Sequence, residues 1–234
     1  HNPESKEPAD GCGHAGMLTP PTRIPVPLQR SAPLVQWASE RKTAMSKPRP
    51  GDVTFHLIRH AQSTANAHGN IIGDVHAALT PDGVAQRDKL NRYLERFPLG
   101  AGKAYTSDME RALRTAEGLS AAGLGTSTIH RDARLREISR GDWDGKPRSE
   151  IYTPALQAEM DLLGMDHCAP GGESMHHVGA RMRAWALEAL AEARANGWNA
   201  IAAVSHGVAI KCLLHRLVGF NEAQVWLTEI DNAS

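Results

Sequence analysis

The sequence predicts an α/β fold: a three-layer sandwich with a mainly parallel central sheet, helices on both faces and a small lid insertion. Two observations predict it. Short apolar or alternating runs near 53–58, 103–107, 126–130 and 200–205 are separated by segments with helical spacing. The last of these runs, Ala-Ile-Ala-Ala-Val-Ser, is apolar almost throughout, as expected of a strand covered on both faces. In such sheets a site forms at the C-terminal strand ends, near a topological switch point. Arg59-His60 closes the first strand and Ser205-His206-Gly207 closes the last.

Along the chain, residues 1–50 stand apart. They hold nine of the 14 prolines and no sustained periodicity, so they read as a disordered or loosely packed leader. The basic, acid-poor stretch from Arg23 to Arg49 leaves organellar import as one reading of that leader. Translation starting at Met45 is the other. The domain is expected over 51–234. Val53, Phe55 and Leu57 alternate into the first strand. Thr80-Pro81-Asp82 starts a helix with an N-cap, a proline and a first-turn acid, and Leu90, Leu94 and Phe97 supply its apolar face. After the second strand, Asp108 is expected to cap a helix running to about Ala122 and ended by Gly123. The Gly- and Pro-containing segment 139–172 reads as the lid, made of loops and short helices. Ser174 opens a long helix whose buried stripe is Met175, Val178, Met182, Trp185, Ala189 and Ala193, with Gly197 as its stop. A helix from about Val208 to Val218 follows the last strand.

Composition narrows the function classes. Among 234 residues, Lys+Arg and Asp+Glu are both 26, so the formal net charge is zero. That argues against coating nucleic acid or anionic membrane, while leaving room for a local anion pocket. No apolar run reaches the roughly 18 residues of a membrane span. The three cysteines, Cys12, Cys168 and Cys212, show neither zinc spacing nor a disulfide framework, which points to a reducing, cytoplasmic compartment. His176-His177 is the one adjacent histidine pair, and neighbours on a helix face different ways, so no metal site and no cofactor is expected.

The chemistry is concentrated in four segments. Arg59-His60 is followed by Ala61, Gln62, Ser63 and Asn66. The arginine can grip an anion with two parallel hydrogen bonds, and the imidazole is nucleophilic near neutral pH. Ser63 and Asn66 add donors. Arg111 lies in the first turn of a helix, where unpaired N–H groups already favour an anion. Leu135-Arg136-Glu137 precedes Gly141-Asp142-Trp143-Asp144-Gly145, and Ser205-His206-Gly207 leaves the buried strand.

Together these segments resemble the histidine phosphatase superfamily, also called phosphoglycerate mutase-like, over about residues 53–232 and in the family's order. Leu79–Gly83 and Pro170–Ser174 are similar to further family landmarks. The one departure in the opening motif is Ala61, where glycine is commonest. The resemblance implies that His60 is the phospho-accepting nucleophile and Glu137 the general acid and base. It also implies that Arg59, Arg111 and His206 form the phosphate pocket, with Asn66 a minor ligand. A small phosphorylated substrate is then expected, clamped by the two arginines and a protonated His206. The 69 positions from Glu137 to His206 lack the long insertion of the cofactor-dependent mutases and favour a metal-independent phosphatase. Mutase-type transfer and a non-catalytic phospho-ligand or protein binder are the alternatives. The family adds a strand after a segment like Ile230–Ser234, so either a truncation or a missing edge strand is expected there. The sequence leaves the oligomeric state open, with a dimer compatible.

Overall fold

The computed structural model describes residues 49, 51–67, 71 and 77–234, without the side chains of Asn66 and Ala67. The leader expected over 1–50 lies outside the described residues apart from Arg49.

Four strands form one parallel sheet: β1 (Thr54–Arg59), β2 (Lys103–Thr106), β3 (Ile129–Arg131) and β4 (Ala200–Ser205). Their order is β1-β4-β2-β3. The chain therefore builds outward from β1 and then returns to insert β4 beside it. Arg59 pairs in register with Ser205. His60 and His206 are consequently the next residues off two neighbouring strands.

All six residues of β4 are buried, which explains its unbroken apolar run. Alternate side chains serve opposite faces. Ile201 and Ala203 join the core under α7 (Met175–Asn196) and α8 (Gly207–Val218). Ala202 and Val204 join the core under α2 (Pro81–Arg96), α3 (Glu110–Glu117) and α4 (Ala121–Leu124). These are the three expected layers. All six residues of the stripe expected on α7 are buried. Trp185, with 0% exposure, meets the rings of Phe55 and Tyr105 edge-on at 5.9 and 5.6 Å. Burying such a side chain contributes roughly 1.5–3 kcal/mol. Ser174 caps α7 in a capping box with His177, and Gly197 ends the helix in the left-handed conformation.

Several local expectations change. Asp108 does not cap α3, whose N-cap is Met109 without a side-chain hydrogen bond. Its carboxylate is instead held by Arg136, with contacts of 2.6 and 2.7 Å. The single helix expected after β2 is two helices, because Ser120 caps a new one and Gly125, not Gly123, closes it. Phe97 is 52% exposed and does not continue the buried face of α2. Cys168 is disulfide-bonded, which the spacing of the three cysteines did not indicate. Cys212 is a buried free thiol, its ionisation pushed up to about 12 by burial.

The segment 139–172 contains α5 (Arg148–Ile151) and α6 (Pro154–Leu163) between short 3-10 turns. Its Trp143 and Ala169 pack with Ile71 in a small core of their own. After α9 (Glu222–Leu227), the C-terminal residues run along the end of β1. The Ala233 N–H donates to the Arg59 carbonyl at 3.1 Å, and the Arg59 N–H donates to the Ser234 carbonyl at 3.1 Å. Among the described residues, no helix is long and apolar enough to cross a membrane.

Helix α2 is locked onto the loop that follows His60. Thr80 caps it, and the Thr80 N–H donates to the Gln62 carbonyl at 3.1 Å. A Cβ at Gly83 would fall 1.9 Å from that same carbonyl oxygen. Gly83→Ala is therefore expected to destabilise the protein by about 1–3 kcal/mol. Urea unfolding measures this, and an unchanged midpoint would contradict so close an approach.

Candidate active site

The residues singled out from the sequence meet where β1 and β4 end and α8 begins. His60 follows β1 and is 2% exposed. Its Nδ1 lies 2.7 Å from the Ala61 carbonyl oxygen. A carbonyl can only accept, so Nδ1 carries the proton and Nε2 keeps the lone pair. Ala61 is fully buried, and its N–H donates to Thr115 Oγ1 at 3.0 Å. Alanine therefore fits where the family most often has glycine.

His206 stands at the N-cap of α8, with its ring centroid 4.9 Å from that of His60. Arg111, buried in the first turn of α3, donates Nε–H to His206 Nδ1 at 3.2 Å. The Nε2–H of His206 then donates to Ser107 Oγ at 3.0 Å. Both nitrogens are thus assigned, and the ring is neutral. Burial, then the neighbouring His60 and the positive Arg111, hold its ionisation well below the usual histidine value. The protonated His206 expected beside a phosphate dianion is disfavoured by this burial and by the Arg111 contact.

Burial first, and the charges of Arg111 and Arg59 after it, lower the ionisation of His60 to about 3. An unprotonated imidazole is what a nucleophile at phosphorus requires. The same shift has a consequence for stability. Between pH 3 and 6.5 the unfolded chain binds more protons at this position than the folded one, so stability is lost as pH falls through that window. The slope is up to about 1.4 kcal/mol per pH unit for this one group. His60→Gln is expected to flatten the decline between pH 6.5 and 4.5, measured by urea unfolding at each pH. Parallel curves for the two proteins would contradict the assignment.

Arg59, the last residue of β1, donates Nη1–H to the Ile230 carbonyl at 2.5 Å. Its Nε is buried and has no hydrogen-bond partner. Such a donor is costly unless a ligand oxygen satisfies it. Gly207 leaves room beside it, since a Cβ there would stand 3.4 Å from that nitrogen. Glu137 reaches the first turn of α8. Its Oε1 accepts the N–H groups of Ile138 and Ala209 at 3.0 and 3.1 Å, and its Oε2 accepts that of Val208 at 3.3 Å. Arg59, Glu137, Gly207, Val208, Lys211 and Glu229 line a cavity of about 270 Å³.

Five of the seven expected site residues, Arg59, His60, Arg111, Glu137 and His206, thus converge. Ser63 is buried at the start of α1 (Thr64–Ala67), where its backbone bridges to Leu79. The Asn66 side chain lies outside the described residues. Sequence reasoning assigned no role to Ser107, which orients His206, or to Thr115. Thr115 accepts from Ala61 and donates to the Arg111 carbonyl at 2.7 Å. Both lie inside the motif around Arg111, which was the available signal. It also missed Arg181 on α7, for which no local pattern exists. Among the described residues, no group of three or more His, Cys, Asp or Glu side chains is placed to hold a metal ion.

Two histidines and an arginine are buried together at the ends of parallel strands, with a second arginine and a carboxylate beside them, a set of groups with the chemistry to hold an anion. Comparison with known proteins gives the class a family. A sequence model of the histidine phosphatase superfamily (branch 1) matches residues 55–234, and the chain belongs to that family.

Among its relatives, a putative phosphoserine phosphatase 2 of Hydrogenobacter thermophilus is 30% identical over 185 residues, covering 76% of this chain and 85% of the relative. A 2,3-bisphosphoglycerate-dependent phosphoglycerate mutase of Methylobacterium radiotolerans is 33% identical over 172 residues, covering 72% and 81%. Among solved structures, a mycobacterial glucosyl-3-phosphoglycerate phosphatase aligns with a TM-score of 0.65 at 28% identity, covering 76% of this chain and 85% of that one. The relatives include both phosphatases and mutases.

Proposed function

We propose that this protein is a metal-independent phosphatase that hydrolyses a small phosphate monoester through a phosphohistidine on His60. The observation that carries the reading is the buried His60, with Nδ1 tied to a carbonyl and its ring set against His206, which Arg111 in turn hydrogen-bonds. Arg111 and the unpaired Nε–H of Arg59 supply donors for the phosphoryl oxygens, and His206, tied to Ser107, holds Arg111 in place. Phosphoryl transfer needs mostly such positioning and charge stabilisation.

In the first step His60 Nε2 forms the N–P bond as the ester P–O bond breaks. Glu137 delivers a proton to the departing oxygen. In the second step Glu137 takes a proton from water, the water oxygen bonds to phosphorus, and the N–P bond breaks to release phosphate and free His60. Oε2 is the oxygen suited to carry the proton, because Oε1 already accepts two backbone N–H groups.

Hydrolysis is favoured over transfer by the compact stretch between Glu137 and His206. Residues 139–172 form the lid and are proposed to set substrate choice. Arg140, Arg148, Tyr152 and Trp226 border a groove of about 830 Å³ at that lid. The reading is tested by measuring phosphate release alongside conversion of 3-phosphoglycerate to 2-phosphoglycerate. Release from simple monoesters in the presence of chelator supports it. Isomerisation without release would establish the mutase reading instead.

A further inference from the structure

We propose that Arg181, backed by Glu173, is the positioning residue that aims the Glu137 carboxyl at the departing oxygen. The proposal rests on the acid–base role given to Glu137 above.

Glu137 belongs to no helix or strand of the fold. It follows the 3-10 turn Ala133–Leu135 and is part of an irregular connection. Its carboxyl accepts the N–H groups of Ile138, Val208 and Ala209, and the course of the backbone that carries it must be set by something other than regular hydrogen bonding. Arg181 sets that course from the second turn of α7. Its Nη1 donates to the carbonyls of Arg134 and Arg136 at 2.6 and 2.8 Å. Its Nη2 donates to the carbonyl of Glu137 itself at 3.0 Å. Its remaining donors grip Glu173, Nε to Oε1 at 2.8 Å and Nη2 to Oε2 at 2.9 Å. A guanidinium has five N–H donors in a rigid fork, and these contacts use them all.

Glu173 completes the clamp from the other side. Its Oε2 accepts the N–H of Ser139 at 3.0 Å. Burial acts against the charge, but the hydrogen bond and charge of Arg181 hold the Glu173 carboxyl below its usual value. The pair therefore fixes backbone on both sides of Glu137, at residues 134, 136, 137 and 139. Two further ties hold the same stretch: Ser205 Oγ donates to the Leu135 carbonyl at 2.8 Å, and Arg136 pairs with Asp108. Arg181, among the described residues, is the side chain that reaches the carbonyl of Glu137. A lysine has three donors on a flexible stem and cannot reproduce the fork.

A residue that only stabilises the fold lowers activity on every substrate alike. A residue that aims a general acid lowers it according to how much the leaving group needs a proton. The test uses the full chain with two esters. Glycerol phosphate leaves as a basic alkoxide, whereas p-nitrophenyl phosphate leaves without protonation. The reference is Glu137→Gln, read in kcat/KM, which covers only the steps up to loss of the leaving group and so excludes the second step shared by both esters; it is expected to lose about 10²-fold or more on glycerol phosphate and far less on the aryl ester. Absence of wild-type turnover, or an equal loss on both esters in Glu137→Gln, would refute the acid–base reading itself.

With that reference in place, Arg181→Met and Arg181→Lys are expected to lose about tenfold or more in kcat/KM on glycerol phosphate and under about threefold on the aryl ester. Glu173→Gln tests the same clamp if either Arg181 variant fails to fold. Adding Arg181→Lys to Glu137→Gln is expected to cost nothing further on glycerol phosphate, because the residue to be aimed has lost its function. Equal losses on both esters in the folded variants, or no loss on either, would overturn the proposal.

Discussion

Replacing His60 with Ala is expected to reduce phosphate release by a factor on the order of 10⁴–10⁶ and to abolish acid-labile phosphate labelling of the protein. The size follows from what the side chain does. It supplies the attacking lone pair, and among the described residues the imidazole that its ring contacts is His206. The Nδ1 of His206 already accepts from Arg111 and its Nε2–H is engaged with Ser107, so it presents no free lone pair. Phosphate release within tenfold of wild type in His60→Ala would rule out the covalent route. Labelling is read by rapid acid- and alkali-stability assays, since a phosphohistidine is lost in acid and survives in base.

Removing Arg111 is the second large effect. Arg111→Met is expected to lower kcat/KM by about 10²–10³-fold, the usual scale for one donor that stabilises developing charge. Arg111→Lys should restore little, because a point charge on a flexible stem cannot both bond His206 Nδ1 and face a phosphoryl group. A second readout separates this role from general disruption. Arg111 is, after burial, the largest influence lowering the ionisation of His60. Without its charge that ionisation should rise, and the acid limb of kcat/KM should move to higher pH. A variant with wild-type kcat/KM, or a fall with the acid limb unmoved, would count against the assignment.

The sequence was legible where function presses hardest on local pattern. Arg59-His60 and Ser205-His206-Gly207 could be placed at strand ends because the preceding runs have the composition of buried strands. The stripe on α7 could be read residue by residue because helical periodicity is a local property. Errors fell where tertiary contacts overrode a local preference. Asp108 has the chemistry of an N-cap, but Arg136 offers it two charge-assisted hydrogen bonds and takes it away from the helix. Phe97 has the right spacing to be buried, but it lies beyond the last turn of α2, where no layer covers it. The protonated His206 was inferred from substrate charge alone. What decides its state is complete burial beside Arg111 and His60, which no local pattern reports.

The sequence by itself determined the alternation of strands and helices, the family, and the identities of the residues that can attack, clamp and protonate. It could do so because secondary structure and motif chemistry depend on neighbours a few positions away. Only the tertiary structure decided which nitrogen of each histidine carries the proton, that His206 is neutral, and that Arg181 and Glu173 grip the connection bearing Glu137. Those outcomes depend on burial and on hydrogen bonds between residues dozens of positions apart, such as Arg111 to His206 and Arg181 to Glu137. Only the folded chain brings such partners within reach.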